Sequence, residues 1–164
     1  VLSETTNYDD ELMYRGVVPI DRPDIIVYFC DDSVVARRQI ERTLDAMHVK
    51  YVGSPNGRAM WDELRKTAAY AESVNQPVTK FISLILTDIE MPEMDGYILT
   101  KSVKADQRFN GIPIIMHSSL FGMSNQKLGL SVGVDEYVPK FEPQRLAETL
   151  GRRLGAASNQ AGSD

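Results

Sequence analysis

The sequence predicts a doubly wound α/β domain, a five-stranded parallel sheet with five helices on its two faces. Three observations predict it. Five short apolar runs alternate with segments of helical period, the third and fourth runs carry almost no polar residue, and a chain of 164 residues suits a single hydrophobic core. Strands buried on both faces of a parallel sheet read as continuous apolar runs rather than alternating ones, and parallel neighbours need crossover helices between them.

The first run, IIVYFC, spans Ile25 to Cys30. Ser33 then stands where a helix N-cap belongs, ahead of a stripe formed by Val34, Val35, Ile40, Leu44 and Met47. The second run is KYVGS, Lys50 to Ser54, and the second helix is expected over Arg58 to Ala71. A long connection, Tyr70 to Lys80, reads as an extended helix end followed by an exposed loop. ISLILT (Ile82 to Thr87) and IPIIMH (Ile112 to His117) are the two continuous runs, separated by a helix over Gly96 to Lys104. A fourth helix over Ser124 to Ser131 precedes the last run, Asp135 to Val138. The fifth helix begins at Pro143, where the missing proline N–H costs nothing, and is expected to end at Leu154. Residues 1–24, with Gly16, Pro19 and Pro23, read as a linker, and 155–164 as a small, polar tail that frays. The domain proper is therefore expected over 25–154.

Composition narrows the function. Hydrophobic residues at 43% and charged residues at 25% exclude a disordered or collagen-like chain. A net charge of −5 offers no electrostatic footprint for nucleic acid or an anionic membrane. The acidic excess lies in the two flanks, whereas residues 25–154 are balanced. The single cysteine, Cys30, excludes an intramolecular disulfide framework and fits a reducing compartment, so a cytoplasmic location is expected. No apolar run approaches the roughly 20 residues that span a bilayer, and the first residues do not form a signal peptide. The chain opens on Val rather than Met, which suggests a piece of a longer protein.

Ligands of open parallel sheets bind beyond the carboxyl ends of the strands. The first strand ends at Asp31 and Asp32, the third at Asp88, the fourth at Ser118, and Lys140 follows the fifth. Three carboxylates packed together repel unless a cation sits among them, and a few hard oxygen donors with open positions describe a magnesium site. Taken singly, each residue has a plainer reading: Asp31 and Asp32 as helix caps, Asp88 as a turn residue, Ser118 and Lys140 as surface groups. Their coincidence at strand ends favours a site. Cys30 reads as a small buried hydrophobe, and His48 and His117 are too poorly accompanied for a metal centre.

This constellation, with DIEMPEMDGY (Asp88 to Tyr97), resembles the receiver domains of bacterial response regulators. The resemblance covers about Ile25 to Leu154 and implies the strand order 2-1-3-4-5. It implies that Asp88 accepts a phosphoryl group from a histidine kinase. Asp32 would ligate Mg2+ directly and Asp31 through water, with Asp88 and the backbone carbonyl of Glu90 completing the protein ligands. Lys140 and Ser118 would hold the phosphoryl oxygens, and movement of Ser118 would let Tyr137 turn as the switch. The domain would then be a regulatory phosphoacceptor rather than an enzyme with turnover.

Two departures from the pattern stand out. Receivers commonly follow the lysine with proline, but here Phe141 follows Lys140, so the bond is expected to be either trans in a shifted loop or cis and held by packing. Glu90 can crowd the attacking water or pair with Lys140, altering the lifetime of the phosphoryl group. With MHSSLFG (Met116 to Gly122) and YVPKFEP (Tyr137 to Pro143), the chain looks like the receiver of CheV-type chemotaxis proteins, where it follows a coupling domain. That implies a CheA-type kinase and a chemoreceptor array as partners, and a possible dimer through the fourth helix, fifth strand and fifth helix. The alternatives are a free-standing CheY-like regulator, a degenerate receiver used only for docking or dimerisation, and a metal-dependent phosphatase of similar topology.

Overall fold

The computed structural model describes residues 12–119 and 123–161, without the side chains of 123–126 and 156–161. Among the described residues five strands run β1 (Ile26–Cys30), β2 (Lys50–Ser54), β3 (Leu84–Thr87), β4 (Ile114–Ser118) and β5 (Glu136–Pro139). All neighbours pair parallel, in the order β2-β1-β3-β4-β5. The helices are α1 (Val34–Ala46), α2 (Gly57–Ser73), α3 (Gly96–Ala105), α4 (Met123–Val132) and α5 (Pro143–Ala161). Every residue of β3 and β4 is buried, as their unbroken apolar runs require, while the outer strands β2 and β5 are partly open.

Alternation along the strands divides the core in two. Val27, Phe29, Leu84, Leu86 and Ile115 face one layer, where Ile40 and Leu44 of α1 meet Leu146 and Leu150 of α5. Tyr28, Cys30, Ile85, Ile114 and Met116 face the other, against Met60 and Leu64 of α2 and Leu99 and Val103 of α3. The caps follow the sequence: the Ser33 hydroxyl accepts from Ala36 N, and the Asn56 side chain accepts from Ala59 N at the start of α2.

Four details differ from the sequence expectation. Val34 and Val35 are 53% and 62% exposed, because they lie off the face of α1 that buries Ala36, Ile40, Thr43 and Leu44. The long connection is not wholly exposed, since a 3-10 turn at Val78–Lys80 buries Val78 beneath α2. Helix α5 runs past Leu154 to Ala161. Residues 12–14 are helical, and Val17 and Ile20 pack against the α1/α5 layer, so this stretch of the linker lies on the domain.

Candidate functional site

The parallel register brings the strand ends level: Cys30 pairs with both Ser54 and Thr87, and Ser118 with Pro139. The residues just beyond are held by the same ladder. Asp31 N donates to Ser54 O at 3.2 Å, Asp88 N to Cys30 O at 3.0 Å, and Lys140 N to Ser118 O at 3.0 Å. Side chains distant in sequence thus meet on one edge because their backbones continue neighbouring strands.

Lys140 Nζ stands 2.8 Å from Asp31 Oδ2 and 3.0 Å from Asp88 Oδ2, with all three side chains at most 8% exposed. The other oxygens are fixed by backbone amides: Asp31 Oδ1 accepts from Ser33 N at 2.9 Å, and Asp88 Oδ1 from Ile89 N at 2.8 Å. Asp32 is exposed at the mouth. One oxygen from each of Asp31, Asp32 and Asp88 lies within 4.8 Å of the others. Mg2+ takes a small number of hard oxygen donors and keeps several waters, so the chemistry of this all-oxygen set fits that ion. Burial, and then the Asp31 charge, push the Asp88 carboxyl up to about 6; the Lys140 ammonium and the Ile89 amide offset this only in part. Burial works against the Lys140 charge, but Asp31 and Asp88 outweigh it and hold the ammonium above its ordinary value.

Ser118 is buried at the end of β4, and its side chain hydrogen-bonds the half-buried hydroxyl of Tyr137. Glu90 is exposed, and among the described residues the carboxylates on Lys140 are Asp31 and Asp88, so the alternative of a Glu90–Lys140 pair is not the one adopted. The Lys140–Phe141 bond is trans, as one of the two sequence expectations has it. Phe141 makes the turn at φ 65° with its side chain 56% exposed. Proline could not take that φ.

Several contributors escape a motif search. Arg37 reaches back one turn of α1 to donate to Asp31 O at 2.7 Å. The Thr87 hydroxyl donates to Asp88 O at 2.8 Å and is itself 3.2 Å from Cys30 Sγ. A Cβ on Gly96 would overlap Asp88 O, and one on Gly57 would overlap Met94 O, so the Ile89–Asp95 loop is clamped between two glycines. His117 lines a small pocket with Ile40 and Thr43 of α1 and Leu146 of α5, within the field of Lys140. Burial, followed by the Lys140 charge, lowers its pKa to about 3, and its Nδ1 is buried without a hydrogen-bond partner among the described residues. Gly96 in the MDG turn was the one visible signal; the others depend on distant packing.

A doubly wound sheet carrying an acidic cluster and a lysine on its carboxyl edge defines a receiver-type signalling domain. The family model for the response regulator receiver domain matches residues 27–151, and the chain belongs to that family. It is 29% identical over 145 residues to chemotaxis protein CheV2 of Helicobacter pylori, a match covering 88% of this chain and 43% of that protein. It is 32% identical to a chemotaxis CheY homolog of Campylobacter jejuni, covering 82% of this chain and 95% of the relative. The chain thus spans less than half the length of the CheV protein but nearly all of the CheY homolog. The solved chemotaxis protein CheY4 of Vibrio cholerae, at 25% identity, superposes with a TM-score of 0.63, covering 79% of this chain and 98% of that one. Among the described residues no helix is long and apolar enough to cross a membrane.

Proposed function

We propose that this receiver accepts a phosphoryl group on Asp88 from the phosphohistidine of a CheA-type kinase, in the cytoplasm, to regulate coupling between chemoreceptors and that kinase. The observation that carries the reading is the buried set Asp31, Asp88 and Lys140 with Asp32 at its mouth. Asp88 Oδ2, the oxygen not held by the Ile89 amide, attacks phosphorus, the phosphorus–nitrogen bond breaks, and the imidazole leaves with its electron pair and takes up a proton. Asp32 directly, Asp31 through water, Asp88 and the Glu90 carbonyl would hold Mg2+. When bound, that ion supplies positive charge between two anions that otherwise repel. Lys140 moves its ammonium from Asp31 onto a phosphoryl oxygen, a charge-assisted hydrogen bond. Ser118 gives up Tyr137 to donate to another phosphoryl oxygen, and Tyr137 is released to turn. A charged hydrogen bond of about 1.5–3 kcal/mol is enough to bias such a two-state element by one or two decades.

Residues 25–154 form the domain in this reading. The reading includes a dimer contact on the α4–β5–α5 face, where α4 exposes apolar side chains at Leu128 and Leu130 on either side of the sheet-facing Gly129. The near-complete coverage of CheY relatives favours a second reading, a free-standing CheY-like regulator, and a coupling domain encoded upstream would exclude it. Titration of the chain with beryllofluoride and Mg2+, followed by amide NMR shifts at Ser118, Tyr137 and Lys140, tests the site. Saturable shifts that need both reagents are expected. A folded chain that responds to neither would be a docking module only.

A further inference from the structure

The helices α1 and α5 share an origin. Helix α1 begins at Val34, directly after Asp31 and Asp32, and α5 begins at Pro143, three residues after Lys140. One chain segment crosses both, from the far end of α1 to the first turn of α5, where Gln144 Nε2 donates to Arg15 O at 3.4 Å. The Ile20 amide donates to Met47 O at 2.8 Å just past the end of α1, and the Asp21 carboxylate sits 2.6 Å from His48 Nδ1. Val17 and Ile20 pack on the layer that holds Ile40, Met47, Leu146 and Ala147. On the α5 side, residues 15–20 stand over Gln144, Ala147, Glu148, Gly151 and Arg152 across an open groove of about 410 Å3. A Cβ on Gly151 would meet nothing within 4 Å, so the groove lies directly above that glycine.

We infer that the α1–α5 face is an intramolecular docking surface whose occupant is residues 14–21 of this chain, and that docking of this strap opposes occupation of the phosphoryl site. This rests on the receiver reading above. In the arrangement the strap spans, Lys140 is committed to both Asp31 and Asp88. A phosphoryl group draws the ammonium off Asp31, and each of the two helices is tied to one end of that contact. Any shift of α5 relative to α1 changes the distance the strap must bridge. The Tyr14 hydroxyl reaches Gln39 O only at 3.5 Å and Gln144 Nε2 reaches Arg15 O only at 3.4 Å, long contacts between the strap and the two helices that such a shift parts first. Linkage makes the effect reciprocal: what loosens the strap favours the ligand, and the ligand loosens the strap.

The test uses the whole chain with Mg2+ and beryllofluoride, a phosphoryl mimic. Hydrogen exchange of the unaltered protein is measured with and without the mimic, and mimic affinity is compared between the wild type and I20S. The expected results are faster exchange at the amides of Val17 and Ile20 on saturation and about fivefold tighter binding by I20S. Unchanged exchange in the strap, or an affinity of I20S that is equal or weaker, overturns the proposal while leaving the receiver reading intact. A wild type that does not bind the mimic removes both. Because the exchange measurement needs no substitution, misfolding of I20S cannot shield the proposal.

Discussion

Lys140 Nζ lies 3.0 Å from Asp88 Oδ2 while also touching Asp31, so one buried ammonium serves two carboxylates. Asp88 is still held up to about 6, because burial and the Asp31 charge outweigh that shared cation. The site is short of positive charge, and it is built to take up more.

Lys140→Ala leaves Asp31 and Asp88 facing each other with no counter-charge. Without divalent cations, stability is expected to fall by about 3 kcal/mol, and millimolar Mg2+ should restore much of it. Thermal unfolding with and without Mg2+ checks this. A melting temperature insensitive to Mg2+ in the variant would argue against a cation site.

The loop carrying Glu90 is clamped at both ends by glycine. Gly96→Ala forces a methyl group onto the Asp88 carbonyl oxygen and should cost about 1–3 kcal/mol. The same change should weaken Mg2+ binding, measured by calorimetry, because the displaced loop carries a proposed ligand. Full stability together with unchanged Mg2+ affinity would show that the clamp is slack.

His117 sets a pH dependence. It takes up a proton near 6.5 in the unfolded chain but only near 3 in the fold, so between these values the unfolded state binds more protons and acid destabilises the protein. Asp88 acts with the opposite sign, since it holds its proton longer in the fold, and stability falls as pH rises from about 4 to 6. His117→Leu removes the first effect. Stability of the variant should therefore fall less steeply on acidification, by at most about 1.4 kcal/mol per pH unit. Parallel denaturant titrations at pH 4 to 7 measure the difference, and superimposable pH profiles would contradict it.

Glu90 is exposed two residues after Asp88, the proposed acceptor, where its charge and bulk would hinder an approaching water. Glu90→Asn is expected to speed loss of the phosphoryl group about threefold. Decay of label after removal of the donor gives the rate, and an unchanged rate would mean that Glu90 exerts no control.

How much could be read from the residues alone follows from what each signal depends on. The runs at β3 and β4 were legible because burial on both faces leaves no polar position to blur them. The meeting of Asp31, Asp32, Asp88, Ser118 and Lys140 at one edge was legible because a parallel sheet aligns its carboxyl ends whatever lies between. Val34 and Val35 misled because they are apolar but out of phase with the face that Ala36, Ile40 and Leu44 share, so the helical period leaves them exposed. Val17 and Ile20 were hidden because a strap without regular structure has no period, and its apolar residues look scattered until the groove between α1 and α5 exists. The trans turn at Phe141 depends on loop geometry that no local pattern encodes.

Phosphorylation of Asp88 is the central claim, and incubation with labelled acetyl phosphate tests it most directly, comparing wild type with Asp88→Asn in the presence and absence of Mg2+. The expected result is acid-stable, base-labile label on the wild type that requires Mg2+ and is absent from the variant. Label retained on Asp88→Asn, or incorporated equally well without Mg2+, would contradict it.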